Sequence, residues 1–256
     1  MVGACFLVFG VFLLFLSVFA SSQIFAFIGL GLTFWGVLFM LIKRNTLVES
    51  SLLETTTASE YLNLDRIFAD LALRGEAFCY PSFLKDGYLT EHLKGLKETV
   101  IFIPAEDTSE TVSIEELVKG KFQIENPKGI LIVSPGIGIL DEIEQEPNTD
   151  LTKIPKEEFS EVFPILLQKL NLTKDVEIAI SGDEAILKIT DSIYKNLYSQ
   201  KYGLKSISII GCPIVNAVAC ALTKSTGKPV AFKKILNSPS DQSTTATLRI
   251  LQAQTI

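Results

Sequence analysis

Apolar residues fall along this chain in two different rhythms. From Met1 to Ile42 they run almost unbroken, with no Asp, Glu, Lys, Arg or His, and beyond that they alternate with polar positions at helical or strand spacing. The uncharged stretch divides at Ser21-Ser22-Gln23 into Val2 to Ala20 and Ile24 to Ile42. At about 1.5 Å rise per residue, each run is long enough for a hydrocarbon layer of about 30 Å. Lipid offers the backbone no hydrogen-bond partners, so the pattern predicts a two-helix transmembrane hairpin over 1–42. Both of its ends then lie on one side. Lys43 and Arg44 follow directly and assign that side to the cytoplasm. A signal peptide ending at Val18-Phe19-Ala20 is the competing reading, but the first run lacks a charged start and is longer than an ordinary signal core.

Small residues mark both runs. Gly3, Gly10 and Ser17 recur every seven positions in the first, and Ala26, Gly29, Thr33 and Gly36 step by three, four and three in the second. Such stripes allow close helix approach, within one hairpin or between copies in an oligomer, and they also match the ordinary glycine content of membrane helices. The absence of ionisable side chains argues against an ion or proton pathway built by these two helices alone.

The remaining chain reads as a juxtamembrane linker, 43–58, made part helix by the spacing of Val48, Leu52 and Leu53, and a cytoplasmic α+β domain, 59–256, with a candidate sub-boundary near 140–155. Ser59 offers a cap for a helix with Tyr61, Leu64, Phe68 and Leu71 on one face, and Gly75 a stop. Ala77 to Tyr80, Thr99 to Pro104 and Gly129 to Ser134 read as short strands, with a turn at Lys85-Asp86-Gly87. Residues 138–155 read as an acidic, irregular stretch. Pro155 opens a helix over Lys156 to Leu170, which Pro164 is expected to kink or split.

The last third is the most regular. Val176, Ile178 and Ile180 alternate outward, Ser181-Gly182-Asp183 turns, and Ala185, Leu187 and Ile189 alternate back, which predicts a β-hairpin. Asp191 is placed to cap a helix running to Gln200, and Ser206 to Ile210 reads as a buried strand. Gly211-Cys212-Pro213 then starts a helix that Gly227 closes, and Val230 to Leu236 pairs with Thr244 to Leu251 in a second hairpin. Hairpins alternating with helices imply a mainly antiparallel sheet.

Charge narrows the function classes. The chain carries 29 acidic and 23 basic residues, a net charge of -6, so a basic nucleic-acid surface is not expected. Four cysteines without paired spacing make no disulfide framework. One histidine, His92, excludes zinc sites built on several histidines, and no metal or cofactor is expected.

The candidate chemistry is sparse. Cys212, at a strand-to-helix junction, is the one catalytic candidate, because a helix N-terminus lowers a thiol pKa; the alternative is a buried structural cysteine. Pro135-Gly136-Ile137-Gly138 offers Gly136 and Gly138 as a phosphate loop, although Asp141 stands where a dinucleotide fingerprint needs glycine, and a plain turn is the alternative. Tyr194 and Tyr198, with Tyr202, recur every four residues as candidate ligand-binding aromatics or as sheet packing. The acidic run Asp141 to Glu146 lacks the spacing of a calcium loop. The sequon at Asn171 has meaning only on an outward-facing domain.

From Val176 to the end, the order of hairpin, helices and hairpin resembles the vinyl-reductase-related group of small-ligand-sensing domains. That resemblance implies ligand sensing. This chain runs Asp241-Gln242-Ser243-Thr244-Thr245 near its end, without the cysteine pattern such domains carry. The expected function is a membrane-anchored, non-catalytic protein that binds a partner or a small ligand. The alternatives are a membrane-proximal enzyme using Cys212 with the Pro135 to Gly138 loop as anion site, and a structural subunit of a membrane complex. The expected partners are the lipid bilayer and a protein or second copy meeting the hairpin.

Overall fold

The computed structural model describes residues 2–41, 50–81, 99–106, 111–146 and 149–252. They fall into two compact units, Met1–Val48 and Glu49–Ile256.

The first unit is a pair of helices, α1 (Val2–Ala20) and α2 (Gln23–Leu41), each of 19 residues. Both are long and apolar enough to cross a membrane. Ser21, at φ 44°, makes the reversal, and the Ser17 hydroxyl donates to the Ser22 carbonyl at 2.9 Å. Four of the five glycines lie in the seam between the helices, and Gly31 faces open space. A Cβ on Gly10 would meet the Thr33 amide nitrogen at 2.6 Å, and one on Gly36 would meet the Leu7 nitrogen at 2.6 Å. A Cβ on Gly29 would meet the Leu14 nitrogen at 2.9 Å, and one on Gly3 the Gly36 carbonyl at 3.0 Å. Removing the side chain at these points lets the backbones touch, which is where helices gain packing energy in a medium as apolar as they are. Phe, Val and Leu side chains face outward.

The second unit is an α+β domain around one eight-stranded antiparallel sheet. Its strands are β1 (Phe78–Tyr80), β2 (Val100–Pro104), β3 (Gln123–Glu125), β4 (Lys128–Val133), β5 (Thr173–Ser181), β6 (Glu184–Ser192), β7 (Val230–Ser238) and β8 (Ser243–Ile250). They are ordered β3-β4-β2-β1-β7-β8-β6-β5. The expectation of antiparallel pairing therefore holds for every neighbour. Both predicted late hairpins form; each strand of the first runs three residues further at the open end and one at the turn than the apolar alternation marks, and those of the second are Val230–Ser238 and Ser243–Ile250.

The helices are α3 (Ser50–Asp70), α4 (Ile114–Val118), α5 (Ile137–Glu144), α6 (Lys156–Lys169), α7 (Ser206–Ile210) and α8 (Pro213–Thr226). The main core lies on one face of the sheet, where Cys79, Ile101, Ile103, Leu187, Ala246 and Leu248 meet α3, α5, α6 and α8. A smaller core, including Phe78, Tyr80, Phe102 and Leu117 of α4, covers the opposite face of the β1 to β4 half.

Every residue of α8 from Pro213 to Thr223 is buried. The stretch Ser206–Thr226 is apolar enough to be a span by length and composition, yet 89% of it is buried inside the domain. It is a core helix. Its short Ala217, Ala219 and Ala221 side chains suit it to a position enclosed on all sides.

Several local expectations are corrected. Ser206 to Ile210 is a helix, because the Asp65 carboxylate of α3 accepts the Lys205 and Ser206 amides at 2.8 and 2.6 Å and caps it from outside. Asp191 opens no helix. It sits at φ 50° while β6 runs on to Ser192, and only a 3-10 turn, Lys195–Tyr198, follows.

The acidic stretch after Gly136 is not irregular throughout, because α5 begins at Ile137 with Leu140 and Ile143 buried. The helix expected from Ser59 begins at Ser50, with the Ser59 hydroxyl donating back to the Thr55 carbonyl inside it. It ends at Asp70, before Gly75, through a left-handed Ala72. Pro164 does not split α6, which is continuous and buries Phe159, Phe163, Pro164 and Leu167. The turn at 85–87 and His92 lie outside the described residues.

Candidate functional site

Cys212, Tyr194 and Tyr198, three of the residues singled out from the sequence, gather at the α7–α8 junction. Gly211 at φ 76° stops α7, and Cys212, extended at φ -76° and ψ 169°, becomes the cap residue of α8 with Pro213 in the first turn. The Cys212 amide donates to the Tyr198 hydroxyl at 2.9 Å. The Tyr61 hydroxyl donates to the Gly211 carbonyl at 2.7 Å. The Asn216 side-chain amide donates to the carbonyls of Ile210, Gly211 and Cys212 at 2.9, 3.2 and 3.0 Å. Buried backbone groups at a chain reversal need partners: Tyr61 of α3 and Asn216 of α8 donate to the carbonyls, and Tyr198 of the 3-10 turn accepts from the Cys212 amide.

The electrostatics oppose nucleophilic chemistry. Cys212 is 1% exposed. Burial pushes its thiol above the ordinary range, and the Tyr198 hydroxyl and the Val215 and Ile214 amides, which pull it down, do not outweigh that. The helix N-terminus was expected to lower this pKa; desolvation reverses the sign. Burial likewise pushes up the hydroxyls of Tyr61, Tyr194 and Tyr198. The structure does bring Tyr194 and Tyr198 to Cys212, where Tyr198 spends its hydroxyl oxygen on the backbone.

The glycine loop also reaches α8. A Cβ on Gly136 would meet the Ala217 nitrogen at 2.2 Å and the Pro213 carbonyl at 2.6 Å, so this glycine permits backbone-to-backbone contact. Its amide donates to the Ser134 hydroxyl at 3.3 Å. Gly138 faces open space, with nothing within 4 Å of the Cβ it lacks. Gly136 and the Cys212 turn are thus neighbours along α8, with protein backbone filling the place of an anion.

A second set of sulfurs lies deeper. Cys79 and Cys220 bring their Sγ atoms to 3.8 Å, and the Cys220 thiol donates to the Ser134 hydroxyl at 3.0 Å. Both cysteines are fully buried, where they pack as small hydrophobes.

Among the described residues, no group of three His, Cys, Asp or Glu side chains is placed to hold a metal ion. Residues 141–146 divide between the last turns of α5 and the turn after it. There they border a groove of about 730 Å³ between the end of α5, the 3-10 turn Leu151–Lys153 and α6. Sequence reasoning missed this groove. Its signal in the sequence is Val162 and Ile165, apolar residues of α6 outside the Phe159, Phe163, Leu166 and Leu167 face.

Neither the curated proteins nor the solved structures give a match to this chain. One family model does, across residues 1–249, taking in the helical pair and nearly the whole α+β domain. The chain therefore belongs to the family described as Domain of unknown function (DUF7982).

Proposed function

We propose that this protein is a two-span membrane protein whose globular domain lies on the cytoplasmic side and acts by binding a partner or small ligand, not by catalysis. The helical pair carries the reading. Gly3, Gly10, Gly29 and Gly36 are spent on the seam while its large apolar side chains turn outward, with Phe19 88% and Val18 78% exposed. Apolar surface held in water costs about 25 cal/mol per Å², and lipid removes that cost. Lys43 and Arg44 support the cytoplasmic assignment. Binding, in preference to catalysis, is supported by Cys212, whose thiol stays protonated, and by Tyr61, Tyr198 and Asn216, whose hydrogen bonds hold the α7–α8 turn.

Alkaline carbonate extraction of native membranes tests the anchor, with the chain expected in the pellet; release into the supernatant overturns it. A C-terminal tag reached by antibody only after permeabilisation is expected for the cytoplasmic side, and labelling of intact cells overturns that side. Pull-down from gently solubilised membranes with mass spectrometry should recover a stoichiometric protein or a retained small molecule. Recovery of the bare chain counts against the binding role.

A further inference from the structure

The charge of this protein is concentrated in one place. Residues 141–161 hold eight carboxylates against two lysines, a net -6, which is the net charge of the entire chain. The other 235 residues carry 21 charges of each sign. That segment borders the groove between α5 and α6. The groove's floor is apolar, made by Ile154, Pro155, Val162 and Leu166, with Ile165 next to it 59% exposed. Its charged lining is mainly acidic, with Glu144, Glu146, Asp150 and Glu158 against Lys153. Lys224 engages Glu144 at 2.8 Å and Lys169 engages Glu146 at 3.5 Å, while Glu157, Glu158 and Glu161 pair with no basic side chain among the described residues.

We propose that this groove docks a lysine- or arginine-rich amphipathic helix of a partner protein, a reading that rests on the binding role proposed above. The chemistry selects the occupant. An apolar lining with the exposed Ile165 beside it takes the hydrophobic face of a helix, the mode in which anchors spaced three to four residues apart enter a groove. An acidic rim steers a basic partner toward it and disfavours acidic ones. A small cation is a poor fit, because no three carboxylates converge among the described residues. A second copy is a poor fit as well, since outside 141–161 the charges balance and supply no excess of basic residues.

The test uses the full chain in a non-ionic maltoside micelle and a fluorescein-labelled peptide of leucines and lysines in a helical repeat, followed by anisotropy. The expected result is saturable binding that weakens as salt rises and falls at least tenfold in the charge-reversed variant E157K/E158K/E161K, with circular dichroism unchanged. A second variant, I165S, removes exposed apolar surface without touching the core and is expected to weaken binding severalfold. The same peptide with glutamate in place of lysine is expected not to bind.

Equal affinity of the native protein and both variants overturns the proposal. So does saturable binding of calcium ions, or concentration-dependent dimerisation, that the charge reversal abolishes. Loss of the chain from carbonate-washed membranes with peptide binding intact strikes the anchor and spares the groove. No peptide binding by a chain that stays in the membrane strikes the groove and spares the anchor.

Discussion

Tyr61 on α3 donates its hydroxyl proton to the carbonyl of Gly211, 150 residues further along the chain, at 2.7 Å. Both groups are buried, and the bond fixes the end of α7 against α3 just before α8 begins. Tyr61→Phe keeps the ring and removes the donor. The Gly211 carbonyl retains Asn216 as a partner at 3.2 Å, so the expected loss is that of one net hydrogen bond, about 1 kcal/mol. Urea unfolding with an unchanged slope measures it, and a loss above about 3 kcal/mol would mean that the junction rearranges.

Asn216 is more demanding. Its side-chain nitrogen faces three carbonyl oxygens, while its Oδ1 finds no donor among the described residues. Asn216→Asp replaces the donor with a carboxylate among like partial charges. The expected cost is at least about 3 kcal/mol at neutral pH, and it shrinks on acidification as the carboxyl takes up a proton. A pH series of denaturation midpoints checks the sign.

Gly136 and Gly138 are two residues apart and are predicted to respond oppositely. Gly136→Ala drives a methyl into the Ala217 amide and the Pro213 carbonyl of α8, and should lower the melting temperature of the domain by several degrees. Gly138→Ala, inside α5 with nothing near its Cβ, should be neutral or stabilise by up to about 1 kcal/mol. Thermal melts of the two variants decide whether Gly136 serves packing.

The helical pair offers a similar contrast. Gly10→Leu and Gly36→Leu insert side chains where backbone lies within 2.6 Å, and are expected to force α1 and α2 apart. Gly31→Leu points into open space and should leave the pair intact. Energy transfer between labels at the far ends of the two helices reads the separation in detergent.

Alkali should unfold the domain through its tyrosines. Tyr80 accepts the Val112 amide at 2.9 Å, and burial pushes its pKa up to about 12. An unfolded tyrosine ionises near pH ~10. The folded value being the higher, the stability tied to Tyr80 is whole below about pH 10 and drains away as pH rises toward 12, at about 1.4 kcal/mol per unit. Tyr61 and Tyr198, also pushed up by burial, add to the loss in the same direction. Tyrosinate absorbance from these side chains should appear together with loss of circular dichroism. Gradual titration of a folded domain at the unfolded pKa would contradict their burial.

The parts of the fold legible in the sequence are those written in spacings of two to four residues. Two uncharged runs of apolar side chains are readable as helices because length and composition alone decide them. The alternation of Val176, Ile178 and Ile180 with that of Ala185, Leu187 and Ile189 around Gly182 is readable as a hairpin for the same local reason. Pro213 and Gly227 bracket α8 by their own backbone preferences, the latter at φ 66°. The candidate site was legible only as a list of residue types. Cys212 stood at a helix start, but its pKa depends on how much protein covers it, and no neighbour in sequence carries that information.

What the sequence by itself determined is the division of the chain and its strongest elements: an apolar helical pair, a charged α+β domain, two late hairpins and the helix between them. Tertiary structure alone decided the rest. Ser206–Ile210 became a helix because Asp65, 140 positions away, caps it. Residues 191–192 stayed in β6 because Ser192 pairs with Thr173 and the Asp191 amide donates to the Gln242 carbonyl. Gly136 has no room for a side chain because α8 passes against it, and Val162 and Leu166 line a groove because the end of α5 and the 3-10 turn Leu151–Lys153 come alongside them. Local periodicity records forces between residues a turn or a pleat apart. Caps, clearances, desolvation and grooves are set by whatever the folded chain brings alongside, which distance along the sequence does not encode.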